Sequence, residues 1–108
     1  MTLSQAIREG AKLRPQAFGS TWYHNENGEV IASCAIGAAW EGITGDTNNL
    51  FNEIIDALGL DDCVDYYCPG CLLGVCGSGY FVSHLNDKHK WSRERIADYV
   101  AKIERGEV

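Results

Sequence analysis

The stretch CPGCLLGVCGSGYFVSHLNDKH, residues 68–89, decides how this 108-residue chain is read. Cys68-Pro69-Gly70-Cys71 is followed after twelve residues by His84, and after four more by His89. Two thiolates from one tight bend and two imidazoles further on are the ligand types and spacing that close a tetrahedral zinc shell. Pro69 and Gly70 shape the bend. Tyr66 precedes the first cysteine by two residues and Phe81 precedes the first histidine by three, positions where finger-type sequences carry an aromatic and a leucine. The expectation is one zinc ion on Cys68, Cys71, His84 and His89. His89 lies beyond Asn86-Asp87, near the next helix, which leaves its direction open. Cys76 and Cys63 are therefore alternates: Cys68, Cys71 and Cys76 with His84, or all four of Cys63, Cys68, Cys71 and Cys76. Cys63-x4-Cys68-x2-Cys71 also has a plant-type iron–sulfur spacing, but the distant fourth cysteine of such sites is absent.

Outward from this stretch, the chain reads as one α+β domain over 1–108, mainly helical. Four to five short helices, one β-hairpin and a cysteine-rich, zinc-knuckle-like loop are expected, with 63–91 as a metal-binding subregion. Thr2 and Gln5 form a capping-box pair before an apolar face of Leu3, Ala6, Ile7 and Gly10 that continues to Leu13, and Arg14-Pro15 stops that helix. Asn27-Gly28, between Ser20–His24 and Glu29–Ala32, signals a type I′ hairpin turn. Ser33 is placed to cap a helix over 34–43 carrying Ile36, Ala39, Trp40 and Ile43. Leu50, Phe51, Ile54, Ile55 and Leu58 form the cleanest helical stripe, with Gly59 as a left-handed cap and Leu60 folding back. Residues 61–79 read as irregular, and Tyr80–Leu85 as a short helix or a strand, with helix preferred and ending at Asn86-Asp87. A last helix follows Ser92, with Glu94 in its first turn and Ile96, Tyr99, Val100 and Ile103 facing inward.

Composition narrows the function classes. The formal charge is −6. The basic residues read as dispersed, with a mild cluster at Lys88, Lys90, Arg93 and Arg95, which argues against nonspecific nucleic-acid binding. No apolar run approaches the ~20 residues of a membrane span, and Met1–Gln5 lacks the basic start and apolar core of a secretory signal. The expected location is cytoplasmic. In a reducing compartment, clustered cysteines point to metal rather than to disulfides, and five is an odd number. Cys34, in the first turn of its helix, is either an activated thiol or a small buried side chain. No phosphate loop, Gly-x-Ser-x-Gly elbow or His-Glu-x-x-His helix occurs, so no catalytic residue is assigned. Cys68-x-x-Cys71 lacks the βαβ context of a redox dithiol.

Two segments carry a resemblance. Arg14-Pro-Gln-Ala-Phe-Gly19 with Ser33-Cys-Ala-Ile-Gly-Ala-Ala-Trp-Glu41 resembles a "Pro-Gln-x-x-Gly … Cys-Ala-Leu-Gly-Ala-Ala" pattern, and residues 84–100 resemble "His-Leu-Asn-Asp-x-His-x-Trp-x-Arg-x-x-Ile-Ala". Both patterns belong to small uncharacterised bacterial and phage-related proteins, some with a Cys-Pro-x-Cys between them. The resemblance spans most of 3–103 and implies no activity. Cys63 and Cys76 stand outside it. The reading that results is a zinc-stabilised, non-enzymatic module that binds a protein partner. The alternatives are a thiol- or metal-dependent enzyme centred on Cys34 or on 68–76, and a nucleic-acid finger using Lys88, Lys90, Arg93 and Arg95.

Overall fold

The structure, a computed structural model, describes residues 1–108. The chain runs α1 (Leu3–Ala11), β1 (Trp22–His24), β2 (Val30–Ser33), α2 (Ala35–Thr44), α3 (Phe51–Leu58), β3 (Asp65–Tyr67), β4 (Gly74–Cys76), α4 (Ser78–Asp87) and α5 (Arg93–Glu104). This is a small α+β fold of five helices and two separate two-stranded antiparallel sheets, β1–β2 and β3–β4. No helix is long and apolar enough to cross a membrane.

α1 starts where the capping box places it: the Thr2 side chain accepts from Gln5 N–H, and Gln5 Oε1 accepts from Thr2 N–H. It ends at Ala11, short of Leu13, which is exposed. α1 packs along α2 through paired glycines. A Cβ on Gly10 would fall 1.7 Å from the Ala38 carbonyl oxygen, and one on Gly42 would fall 2.3 Å from that of Ala6. Only glycine permits backbones this close. α5 covers the other side of α1, tied by Ser4 Oγ donating to Glu104 and by the Arg8–Asp98 ion pair. Between them lies the core: Ala6, Ile7, Ile36, Ile54, Phe81, Leu85 and Ile96 are almost fully buried. Each large apolar side chain of this kind contributes ~1.5–3 kcal/mol by leaving water.

Polar cross-links hold the layers in register. Arg14 grips the buried Glu41 bidentately, at 2.8 and 2.6 Å, and donates to Val30 O. Arg93, also buried, donates to Ser33 O and Oγ and to the carbonyls of Arg14 and Ala11. Asn86 is fully buried with both ends of its amide used. Its Oδ1 accepts from Gln16 Nε2 and Ala35 N–H, and its Nδ2 donates to Ala17 O and Asp87 Oδ1. Asn86 thereby bolts α4 to the start of α2 and to the 16–17 segment.

Three expectations need correction. A second hairpin, β3–β4, occupies the region read as irregular. Ser33 remains in β2 and Cys34 is the N-cap of α2, its Sγ accepting from Gly37 N–H at 3.5 Å. The first hairpin does not close through a type I′ turn. Gly28 has φ 79°, but Asn27 keeps a negative φ, and Gly28 N–H donates to Asn25 O. The loop is thus a turn over 25–28 whose last residue is the left-handed glycine, fixed by Asn25 Oδ1 accepting from Asn27 and Glu29 N–H.

Candidate metal centre

The tip of the β3–β4 hairpin is built by backbone hydrogen bonds around Cys68. Its N–H donates to Leu73 O and its carbonyl accepts from Leu72 N–H, both at 2.8 Å. Leu72 turns the chain at φ 62°. The Cys68–Cys71 bend between them turns both sulfurs inward. α4 follows β4 directly, giving a β-hairpin and then a helix, the order of a ββα finger. His84 comes from the last turns of α4. His89 follows the helix end, where Lys90 takes φ 56° and Trp91 N–H donates back to Leu85 O. That hooked turn carries the second imidazole back toward the hairpin, which resolves its direction.

The four side chains converge. One ligand atom from each of Cys68, Cys71, His84 and His89 lies within 4.8 Å of all the others. Cys71 Sγ is 3.4 Å from His84 Nε2, and the two Nε2 atoms are 3.1 Å apart. Sulfur at ~2.3 Å and nitrogen at ~2.0–2.1 Å around a tetrahedral ion would place ligand atoms ~3.3–3.8 Å from one another. The group could therefore hold a metal ion. Cys63 and Cys76, the alternate ligands, are exposed and lie outside it. Cys68 is fully buried and the other three are half-buried. Desolvation, with His89 and Lys88 as positive neighbours, pushes the His84 imidazole below its ordinary value. Proton loss is what metal ligation requires of it.

The finger is embedded in the domain. On its inner side Tyr66 stacks on Phe81, with centroids 5.4 Å apart, and Phe81 meets Tyr99, which meets Trp91. Val75, whose place in the pattern passed unremarked in the sequence, packs against the same core; a hydrophobic residue between the second cysteine and Phe81 was the available signal. On its other side a Cβ at Gly79 would fall 2.1 Å from Ile55 Cδ1, and Tyr80 meets Phe51 edge-on. In a DNA-reading finger, helix positions −1, 3 and 6 contact bases. Counted from Ser78 these are Gly77, Tyr80 and Ser83. Gly77 is buried, Tyr80 meets α3, and Ser83 Oγ lies 3.4 Å from Asp87 Oδ2.

Other sequence candidates fall elsewhere. Cys34 is buried; desolvation raises its thiol even though the Gly37 and Ile36 amides oppose this. The helix end does not activate it. Asp62, within the stretch read as irregular, accepts from Val64 N–H, Ser78 N–H and Tyr66 Oη, pinning the hairpin base to the start of α4. The basic residues are not dispersed: no lysine or arginine occurs between Arg14 and Lys88, so the positive charge sits on α1, α5 and the turns beside them. Arg93 of the expected basic cluster is consumed in the interior.

Comparison with protein-family models, curated proteins and solved structures gave no match for this chain.

Proposed function

We propose that Cys68, Cys71, His84 and His89 hold one zinc ion, and that the protein is a zinc-stabilised, non-enzymatic interaction module whose partner is a protein presenting an acidic segment. The observation that carries the reading is the convergence of the four ligand atoms on one point from a hairpin tip, a helix and a hooked turn. Two thiolates and two imidazoles favour zinc over hard cations, which take oxygen ligands. All four positions are protein ligands, which leaves no open place for water or substrate, as in structural zinc sites.

The recognition surface lies beside the ion. A groove of about 450 Å³ runs between the knuckle and α5, lined by Pro69, Gly70, Trp91, Arg95, Tyr99 and Lys102, with Asp98 at its edge. Arg95 lies 3.8 Å over the Trp91 ring. Arg95 and Lys102 make no ion pair with a carboxylate, and Asp98 is occupied by Arg8. Free cations on an aromatic floor suit an acidic peptide. The burial of Arg93 and the overall acidic charge weigh against a nucleic-acid finger. The raised Cys34 thiol weighs against a thiol enzyme. The resemblance to small bacterial and phage-related proteins adds no activity to either.

Native mass spectrometry with and without chelator tests the metal. One zinc per chain that survives dialysis supports the reading, and a metal-free chain with unchanged melting sinks it. Reversing Arg95 and Lys102 to Glu should leave folding intact and abolish capture of an acidic partner.

A further inference from the structure

A hollow of about 220 Å³ lies between the 19–21 segment, the second half of α4 and the first residue of α3. Ser20, Thr21, Ser83 and Asp87 line its polar side, and Phe51 and Cys34 its apolar side. It shares no residue with the metal centre or with the groove beside α5.

Asp87 is the charged group of this hollow, and it is held in place. Its Oδ1 accepts from Gly19 N–H at 2.9 Å and from Asn86 Nδ2 at 2.7 Å. Asn86 is itself fully buried and fixed by Gln16, Ala17 and Ala35. A carboxylate oriented by a buried, satisfied amide is preorganised for whatever meets its other oxygen. That oxygen, Oδ2, has only Ser83 Oγ at 3.4 Å, long against the ~2.5–2.7 Å of a hydroxyl on a carboxylate. No lysine, arginine or histidine pairs with Asp87. Lys90 sits over the Phe18 ring instead, and Arg93 is spent on Ser33, Ala11 and Arg14. The Cys34 thiol, whose burial keeps its proton on, supplies no charge of either sign.

We infer that this hollow binds an aliphatic primary ammonium, its head on Asp87 Oδ2 and its alkyl stem against Phe51. The arrangement of donors selects the head group. A guanidinium seeks both oxygens of a carboxylate in a parallel fork, and here Oδ1 already holds two N–H donors. An ammonium needs one oxygen, and its remaining N–H groups take hydroxyl acceptors, which Ser20, Thr21 and Ser83 bring to the walls. A quaternary ammonium has no donor to offer. The stem has a path out: a second hollow of about 400 Å³ adjoins at Ser20, Thr21 and Phe51 and is walled further on by Trp22 and the exposed Leu50. Methylene groups lie on such a surface while the charge stays at the polar end. A free alkylamine and the side chain of a lysine offer the same chemistry, and separate probes tell them apart.

The test is an amide NMR titration of the full chain near neutral pH and at low salt. n-Butylamine should give saturable shifts at the amides of Gly19, Ser20, Ser83 and Asp87. n-Butylguanidine should bind at least several-fold more weakly, and tetramethylammonium not at all. Asp87→Asn keeps an oxygen for Gly19 and Asn86 but removes the charge. It should weaken n-butylamine ~10–100-fold, the loss of one charge-assisted hydrogen bond. Should that variant melt early, Ser83→Val, which fills the hollow, serves in its place and should weaken binding as well. Nα-acetyl-lysine methylamide binding more tightly than n-butylamine assigns the head group to a partner's lysine, and weaker binding assigns it to a free amine. Absence of saturable shifts at these amides overturns the site. So does equal or tighter binding of n-butylguanidine or tetramethylammonium, or undiminished affinity in the folded variant. None of these outcomes bears on the zinc reading.

Discussion

The backbone of Gly70 lies directly against the His89 ring: a Cβ added there would fall 2.8 Å from Nδ1 and 2.9 Å from Cε1. The hairpin tip thereby backs the imidazole whose Nε2 faces His84. We predict that Gly70→Ala displaces the ring and weakens metal binding ~10–100-fold, the usual cost of disturbing a ligand's supporting contacts. Competition with a chromogenic chelator reads the affinity. Parent-like affinity would mean that His89 is not a ligand.

Cys68 lies at the centre of the knuckle and is fully buried. Cys68→Ser, or removal of the ion with chelator, should loosen the region around 63–91 and leave α1, α2 and α5 packed. If the ion supplies even ~3 kcal/mol, Tm falls by roughly 12–24 °C for a chain of this size. Hydrogen exchange should place the loss in the finger; a uniform loss across all helices would contradict the local assignment.

Asn86→Asp keeps the shape but removes the two amide donors and places a carboxylate beside Asp87 in a buried site. The Ala17 carbonyl loses its partner. A destabilisation of ~3 kcal/mol or more is expected from urea melts, because unsatisfied buried groups and buried like charges each cost heavily. A change under ~1 kcal/mol would show that the network is dispensable.

Two glycine substitutions should differ. Gly10→Ala collides with the Ala38 carbonyl, a backbone group that cannot turn aside, whereas Gly79→Ala meets the end of the Ile55 side chain first. The first should cost more than the ~1–3 kcal/mol typical of overpacking, the second about that much or less. Equal losses by thermal melting would argue against the close α1–α2 crossing.

Asp62 carries the pH dependence of the hairpin base. Desolvation opposes its ionisation, yet hydrogen bonds from Tyr66, Ser78 and Val64 outweigh it and hold the carboxyl below the ordinary value of 3.8. A lowered folded-state pKa gives stability that is present above the unfolded value and lost as pH falls through the folded one. The anchor should therefore weaken only below about pH 4. Asp62→Asn should remove that part of the acid dependence, read as Tm against pH with and without metal.

Much of this architecture was legible from local chemistry. The Thr2–Gln5 box, the α3 stripe with Gly59 at φ 66° and Leu60 N–H returning to Ile55 O, and Ser92 before α5 are all contained within a few neighbouring residues. The grouping of Cys68, Cys71, His84 and His89 was legible as well, from the spacing of the two pairs. What escaped depends on distant partners. β3 and β4 are three residues each, with only Tyr66 and Val75 turned inward, too short a run for a readable periodicity, and they pair beside the hydrogen bonds of the Cys68 bend. Cys34 displaced Ser33 as cap because Ser33 N–H and O are engaged by Pro15 and Ala17, far upstream. Asn86 looked like an ordinary helix-ending residue; its partners at 16, 17 and 35 have no signature in the surrounding sequence.

The seating of α1 between α2 and α5 orders events in time. Its contact with α5, marked by Ser4 against Glu104, spans nearly the whole chain, while the backbone hydrogen bonds of the β3–β4 hairpin lie within residues 64–77. The hairpin tip can therefore order early in folding on contacts that are short in sequence, whereas the opening helix gains its second neighbour only when the far end of the chain has come back to it.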